Sequence, residues 1–164
     1  LEDRCEARRT GETERFPERR PRRDKPVRAA RLFVIVDADG RCLLERRPAD
    51  GLWGGLWTPP ERSADCDGDT VCRELGVAPE SVAQVRPGTG FRHTFTHFHL
   101  DIEPVFVTIA PPTPGTADRE DLCWYDPSAE GSRALGLSAP AVKLLAAIGQ
   151  TDGAAAEPTT SQSV

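Results

Sequence analysis

Ten residues, RAARLFVIVD (28–37), place the first constraint on this chain. The run is rich in β-branched and aliphatic side chains. Ala38, Asp39 and Gly40 follow it, and an apolar run resumes as CLLER (42–46). Two strand-forming segments around a turn of Asp and Gly specify a β-hairpin, with Gly40 at the position that wants positive φ. A chain with such a hairpin near its start is committed to a sheet, and the sheet needs something to cover it.

Two helical segments supply the cover. DTVCREL (69–75) is a short helix ending at Gly76, a natural C′ residue. Residues 138–148 place Val142, Leu145 and Ile148, with Ala141 and Leu144, on one helical face, and Gly149 is expected to stop that helix. Between them, ADGLWGGLWTPPE (49–61) reads as an ordered but irregular loop. Residues 81–85 read as a brief strand, 91–109 as two strands or one bent strand, 111–117 as a proline-rich loop and 121–125 as a last strand. The order β-β-α-β-β-β-α defines an α/β (α+β) domain: a mixed sheet flanked by helices.

The ends differ from this domain. Residues 1–27 have almost no apolar periodicity, and Pro17, Pro21 and Pro26 recur too closely for a useful helix, so the stretch is an extended connector. The domain is expected over 28–149, with a disordered polar tail over 150–164. Net charge is −5 overall, but residues 1–31 carry eleven basic against seven acidic side chains, which leaves the remainder at −9. A basic arm on an acidic body suits either a nucleic-acid-touching extension or a solvated linker. No apolar run is long enough to span a membrane, and no apolar leader precedes the domain. Five scattered cysteines (5, 42, 66, 72 and 123) argue against a secreted disulfide framework and for a reducing cytosol. A chain of 164 residues with no methionine that begins at Leu1 reads as a piece of something longer.

The helix 69–75 and the glycine-rich loop before it resemble the signature of the Nudix fold, G-x5-E-x7-R-E-U-x-E-E-x-G-U, where U is apolar. Gly55, Glu61, Val71, Glu74, Gly76 and Val77 fall on its fixed positions. The chemistry does not follow the scaffold. The R-E pair becomes Asp69 and Thr70, and the first member of the E-E pair becomes Arg73. Nudix hydrolases hold Mg²⁺ against a diphosphate with those helix carboxylates, and Glu74 beside Arg73 is a poor substitute. A solvated helix face is the simpler account of the two.

FRHTFTHFHL (91–100) holds all three histidines of the chain and three of its six phenylalanines. On one straight strand, His93, Phe95, His97 and His99 would share a face, but His93 and His99 would stand about 20 Å apart, too far to share a zinc ion. An ordinary strand with polar edges is a second possibility. A base-contacting element is the third, since hydroxyls and amides bond to base edges and an aromatic ring can wedge between stacked bases.

GLWGGLW (51–57) followed by Pro and Glu, RHTFTHFHLDI (92–102) and LCWYD (122–126), in this order, resemble the C-terminal half of MutY-type adenine DNA glycosylases. The resemblance covers residues 5 to about 149. It implies a Nudix-like domain that recognises 8-oxoguanine opposite adenine and does not hydrolyse nucleotides. Phe95, Thr96 and His97 map onto the family's Phe-Ser-His lesion-reading loop, with threonine in place of serine. His93 and Arg92 would support that loop or touch phosphate, and Arg20, Arg22 and Arg23 would contact the DNA backbone. The resemblance also makes Cys5 the fourth ligand of a [4Fe-4S] cluster in an intact parent enzyme, the other three cysteines lying upstream of Leu1. No cofactor is expected in this chain alone.

The expectation is therefore base-excision repair in a bacterial cytoplasm, associated with the nucleoid. The substrate would be duplex DNA bearing 8-oxoguanine opposite adenine, and a repair or replication protein could meet the connector. Adenine would be flipped and cleaved by the parent's helical domain, so no residue here would be catalytic. The rival is a Nudix hydrolase of 8-oxo-dGTP type, for which Glu61 and Glu74 would be the suspects. A plain protein-interaction domain is the weaker alternative.

Overall fold

The computed structural model describes residues 24–110, 119–129 and 134–151. Its centre is β1 (Val27–Val36), which runs parallel to β7 (His99–Ile109) in unbroken register from Val27↔His99 to Val36↔Thr108. Both faces of β1 are covered, which is why its sequence reads as a continuous apolar run and not as an alternation. Leu32 and Val34 point to one cluster with Leu44, Leu100, Ile102, Leu144 and Leu145. Phe33 and Ile35 point to the other, with Leu43, Val71, Cys72, Leu75 and Ile109. Phe33 and Ile35 are fully buried, and each contributes about 1.5–3 kcal/mol through burial.

The β1 turn follows the sequence closely. Gly40 has φ +78°. The Asp37 carboxylate accepts from the backbone N–H groups of Asp39 (3.0 Å) and Arg41 (2.9 Å). The hairpin opens at once, however. Only Val36↔Cys42 pairs, and β2 (Cys42–Arg46) then pairs along its length with β8 (Leu122–Tyr125). Two short strands arise where an irregular loop was expected. These are β3 (Trp57–Thr58), on the far edge of β2, and β4 (Glu61–Arg62), which occupies the place beside β1 that β2 vacates.

α1 (Gly68–Glu74) is capped at both ends. Asp67 accepts from the Thr70 N–H at 2.7 Å. At the other end Gly76 takes φ +75°, so that Gly76 N–H reaches Arg73 O and Val77 N–H reaches Cys72 O. This is a Schellman closure that a Cβ would disfavour. Val82–Pro87 (β5) and Phe91–Thr94 (β6) pair in succession along the outer edge of β7. The second helix, α2 (Ala139–Thr151), covers the opposite face from α1.

Two details of α2 correct the sequence analysis. Ala141, Leu144 and Leu145 are buried, but Val142 is 55% exposed. The buried stripe follows i, i+3, i+4 from Ala141, and Val142 lies about 100° around from it. The helix also continues past Gly149 to Thr151. Glycine weakens a helix by about 1 kcal/mol and need not end one.

Candidate functional site

The histidine-rich segment is neither a straight strand nor a metal ladder. It is a hairpin: Phe91↔Ile102 through Thr94↔His99 pair between β6 and β7. The Phe95 N–H donates to Phe98 O at 2.9 Å and closes the four-residue tip. Thr96 and His97 stand exposed at that tip. Phe95 is half-buried, with its ring centroid 4.6 Å from Phe98 in a stacked pair, 4.6 Å from His93 and 5.5 Å from Trp53. The half-buried His93 ring thus packs against Phe95 and Trp53, behind the tip.

Trp53 arrives from a segment forty residues earlier. In GLWGGLW it adopts φ +56°, the left-handed region that disfavours a side chain. Gly54 follows of necessity: a Cβ there would lie 2.1 Å from the Ala49 carbonyl oxygen. The loop is cinched by Arg47 N–H to Leu56 O (2.9 Å) and Leu56 N–H to Trp53 O (2.9 Å). Two of the three motifs that carry the family resemblance, 51–57 and 92–102, therefore make one structure, the tight loop setting Trp53 as a brace for the hairpin tip.

Further braces were not evident in the sequence. The Lys25 ammonium donates to Phe95 O at 2.8 Å, and the His99 N–H donates to Pro26 O at 2.9 Å. The Arg28 guanidinium sits 4.7 Å from the Phe98 ring centroid. Thr94 Oγ1 and His99 Nδ1 lie 2.9 Å apart across the hairpin. Lys25 and Pro26 fall in the stretch read as connector, yet both grip the hairpin. Pro26 was the only signal, since it favours an extended backbone before β1.

Arg92 is engaged within the hairpin. Its Nε and Nη2 donate to the two Asp101 carboxylate oxygens at 2.6 and 2.8 Å. This bidentate pair lowers the Asp101 carboxyl below its ordinary range and raises the Arg92 guanidinium. Arg20, Arg22, Arg23 and Cys5 lie outside the described residues, as does the proline-rich loop over 111–117.

Around the box residues the charges are paired internally. Arg62 Nε donates to Glu74 Oε2 at 2.8 Å, and Arg62 Nη1 to Glu45 Oε2 at 2.9 Å. Glu61 lies 3.4 Å from Arg47. Burial opposes the charge on Arg62, but the hydrogen bonds to Glu45 and Glu74 outweigh it and raise its pKa. A guanidinium thus bridges carboxylates in the region where the signature would hold Mg²⁺. Among the described residues, no three His, Cys, Asp or Glu side chains group closely enough to hold a metal ion. Burial pushes the Cys72 and Cys123 thiols up to about 11 and raises Cys42 further. These three are packing residues and not nucleophiles.

Fold and residue pattern together define a class: residues 31–147 match the NUDIX domain model, and the chain belongs to that family. Among solved structures, it is similar to the C-terminal domain of mouse MUTYH in complex with human PCNA, at 17% identity and TM-score 0.55, over 83% of this chain and 93% of that one. It is also similar to the NUDIX domain of Shewanella oneidensis NrtR complexed with ADP ribose (14% identity, TM-score 0.51, 86% of this chain and 97% of that one). A third is the MutT protein from Methanosarcina mazei Go1 (16% identity, TM-score 0.51, 80% and 99%). At these identities the likeness is one of fold. Among the described residues, no helix is long and apolar enough to cross a membrane.

Proposed function

We propose that this chain is the lesion-reading part of a MutY-type adenine DNA glycosylase and recognises 8-oxoguanine opposite adenine in duplex DNA. One observation carries the proposal. Thr96 and His97 are exposed at a hairpin tip whose position is fixed from behind by Trp53, His93, Phe98 and Lys25. A polar tip on a rigid base is what discrimination by one or two hydrogen bonds requires.

The chemistry of the lesion suits that tip. Oxidation at C8 turns N7 from an acceptor into an N–H donor and adds a carbonyl acceptor. The Thr96 hydroxyl can accept from N7–H while a tip N–H donates to the new carbonyl; guanine leaves that N–H without a partner and meets the hydroxyl only if it turns to donate to N7. Phe95, half-buried against three rings, would present its remaining surface beside the lesion. The added methyl of threonine keeps the hydroxyl but narrows the approach. Within this proposal Arg92, His93 and the connector residues Arg20, Arg22 and Arg23 support the loop or meet phosphate. Cys5 would be the fourth thiolate of the intact parent's [4Fe-4S] cluster, in a bacterial, nucleoid-associated setting.

The likeness to the MUTYH domain supports this choice within the family, and the PCNA partner of that domain makes a replication or repair protein a reasonable second partner here. The alternative, hydrolysis of a nucleotide diphosphate, is supported by the MutT-like fold. The pairing of Arg62 with Glu45 and Glu74 counts against it, because a metal ion would have to displace a bonded cation.

The test compares Thr96→Ala with the unaltered protein in the full-length parent enzyme. Adenine release opposite 8-oxoguanine should fall relative to release opposite guanine by about 5- to 150-fold, corresponding to about 1–3 kcal/mol of discrimination. Relative rates on the two mispairs unchanged from those of the unaltered enzyme would defeat the proposal. Mg²⁺-dependent cleavage of 8-oxo-dGTP to its monophosphate and pyrophosphate by this chain would replace it with the hydrolase.

A further inference from the structure

A second surface, at the opposite end of the β6 hairpin, has a composition unlike the rest of the body. A groove of ≈ 360 Å³ is lined by Arg86, Gly88, Phe91, Phe106 and Lys143, among other residues, and no acidic side chain lines it. This is unexpected in a body that carries −9 beyond residue 31. The contrast with the neighbouring groove of ≈ 420 Å³ is direct, since there Arg31 is accompanied by Asp67 and Glu103, and Arg31 is paired to Glu103 at 3.1 Å.

The two cations of the acid-free groove are held by rings. The Arg86 guanidinium carbon lies 4.3 Å from the Phe106 ring centroid, and Lys143 Nζ lies 4.0 Å from that of Phe91. A carboxylate partner would fix each cation and also cancel its charge. An aromatic face fixes the cation while leaving the full charge and the N–H donors unspent. Among the described residues, neither Arg86 nor Lys143 shares an ion pair with a carboxylate. Gly88 keeps the floor low, because a Cβ there would meet the Phe106 ring at 2.5 Å.

We infer that this groove is a phosphate-binding site. On the DNA reading above, on which this part rests, it takes a backbone phosphate of the duplex whose lesion meets the hairpin tip. The distance is suitable. Phe91 lies at the groove and Phe95 at the tip, so the two are about 13 Å apart along the strand, or about four base pairs of duplex rise. Lesion reading and backbone anchoring then sit at the two ends of one hairpin, the first specific and the second indifferent to sequence.

The experiment is a salt titration of duplex binding by the full chain and by Arg86→Gln/Lys143→Gln, on duplexes with and without 8-oxoguanine. Losing this phosphate contact should flatten the slope of log K against log [salt] by about 0.9, equally on both duplexes and with lesion preference intact. Arg86→Lys/Lys143→Arg should restore it. Should the double variant fail to fold, Lys143→Gln alone, on an exposed helix position, should flatten the slope in the same direction by up to about 0.9. An unchanged slope overturns the backbone contact. If the unaltered chain binds neither duplex, the DNA reading falls, and titration with inorganic phosphate decides the groove separately. Saturable shifts of the Arg86 and Lys143 side-chain resonances, absent from the variant, keep it as a site for a free phosphate; no saturable shift overturns it.

Discussion

Trp53 joins the 51–57 loop to the 91–100 hairpin, and replacing it tests the brace directly. In Trp53→Ala the rings of His93 and Phe95 lose partners at 5.7 and 5.5 Å, worth about 0.5–1.5 kcal/mol each beyond burial. Trp53 is half-buried, so the apolar area returned to water costs roughly a further 2 kcal/mol. The expected loss is about 3–5 kcal/mol. Trp53→Gly loses the same contacts, but the backbone at φ +56° no longer carries a side chain, which returns about 1 kcal/mol. Glycine should therefore be the more stable of the two variants, the reverse of their order in a regular helix or strand. Equilibrium unfolding in urea, read as the midpoint at constant slope, measures both differences. A loss below about 1 kcal/mol in Trp53→Ala refutes the brace. A glycine variant less stable than the alanine variant refutes the strain.

Gly54→Ala should cost about 1–3 kcal/mol or more, because its Cβ would lie 2.1 Å from a backbone oxygen that cannot rotate away; a thermal midpoint unchanged from that of the unaltered chain would contradict it. Cys72 is fully buried and its thiol is pushed up to about 11, above the ordinary 9 of the unfolded chain. Its contribution is therefore complete below about pH 9 and lost as pH rises from there through 11, because the unfolded state deprotonates first. Unfolding measured from pH 8 to 11 should show the advantage of the unaltered chain over Cys72→Ala shrinking by roughly 2–3 kcal/mol, and a constant difference would contradict that.

Much of this molecule is decided locally and was legible in the chain. The turn at Gly40, the end of α1 at Gly76 and the strands rich in Leu, Val and Ile follow from backbone sterics and side-chain shape, which neighbours in sequence determine. Glu61 and Glu74 could likewise be placed on the box by counting, and the missing carboxylates were visible as Asp69, Thr70 and Arg73. Other features depended on contacts between distant segments. Whether residues 91–100 ran straight or folded back was settled by pairing with β7, and the choice of β4 over β2 beside β1 by competition among strands. Val142 was misplaced because several faces of a short helix are nearly equally apolar, and only the sheet beneath selects one. The brace of Trp53 on Phe95, Lys25 on the Phe95 carbonyl, Arg62 between Glu45 and Glu74, and the ring-held cations of the groove all join segments far apart in the chain. The sequence by itself thus determined the scaffold and the identity of the exposed tip. Tertiary structure decided what holds that tip still and which charges are left unspent, because those depend on distances through space that no local periodicity encodes.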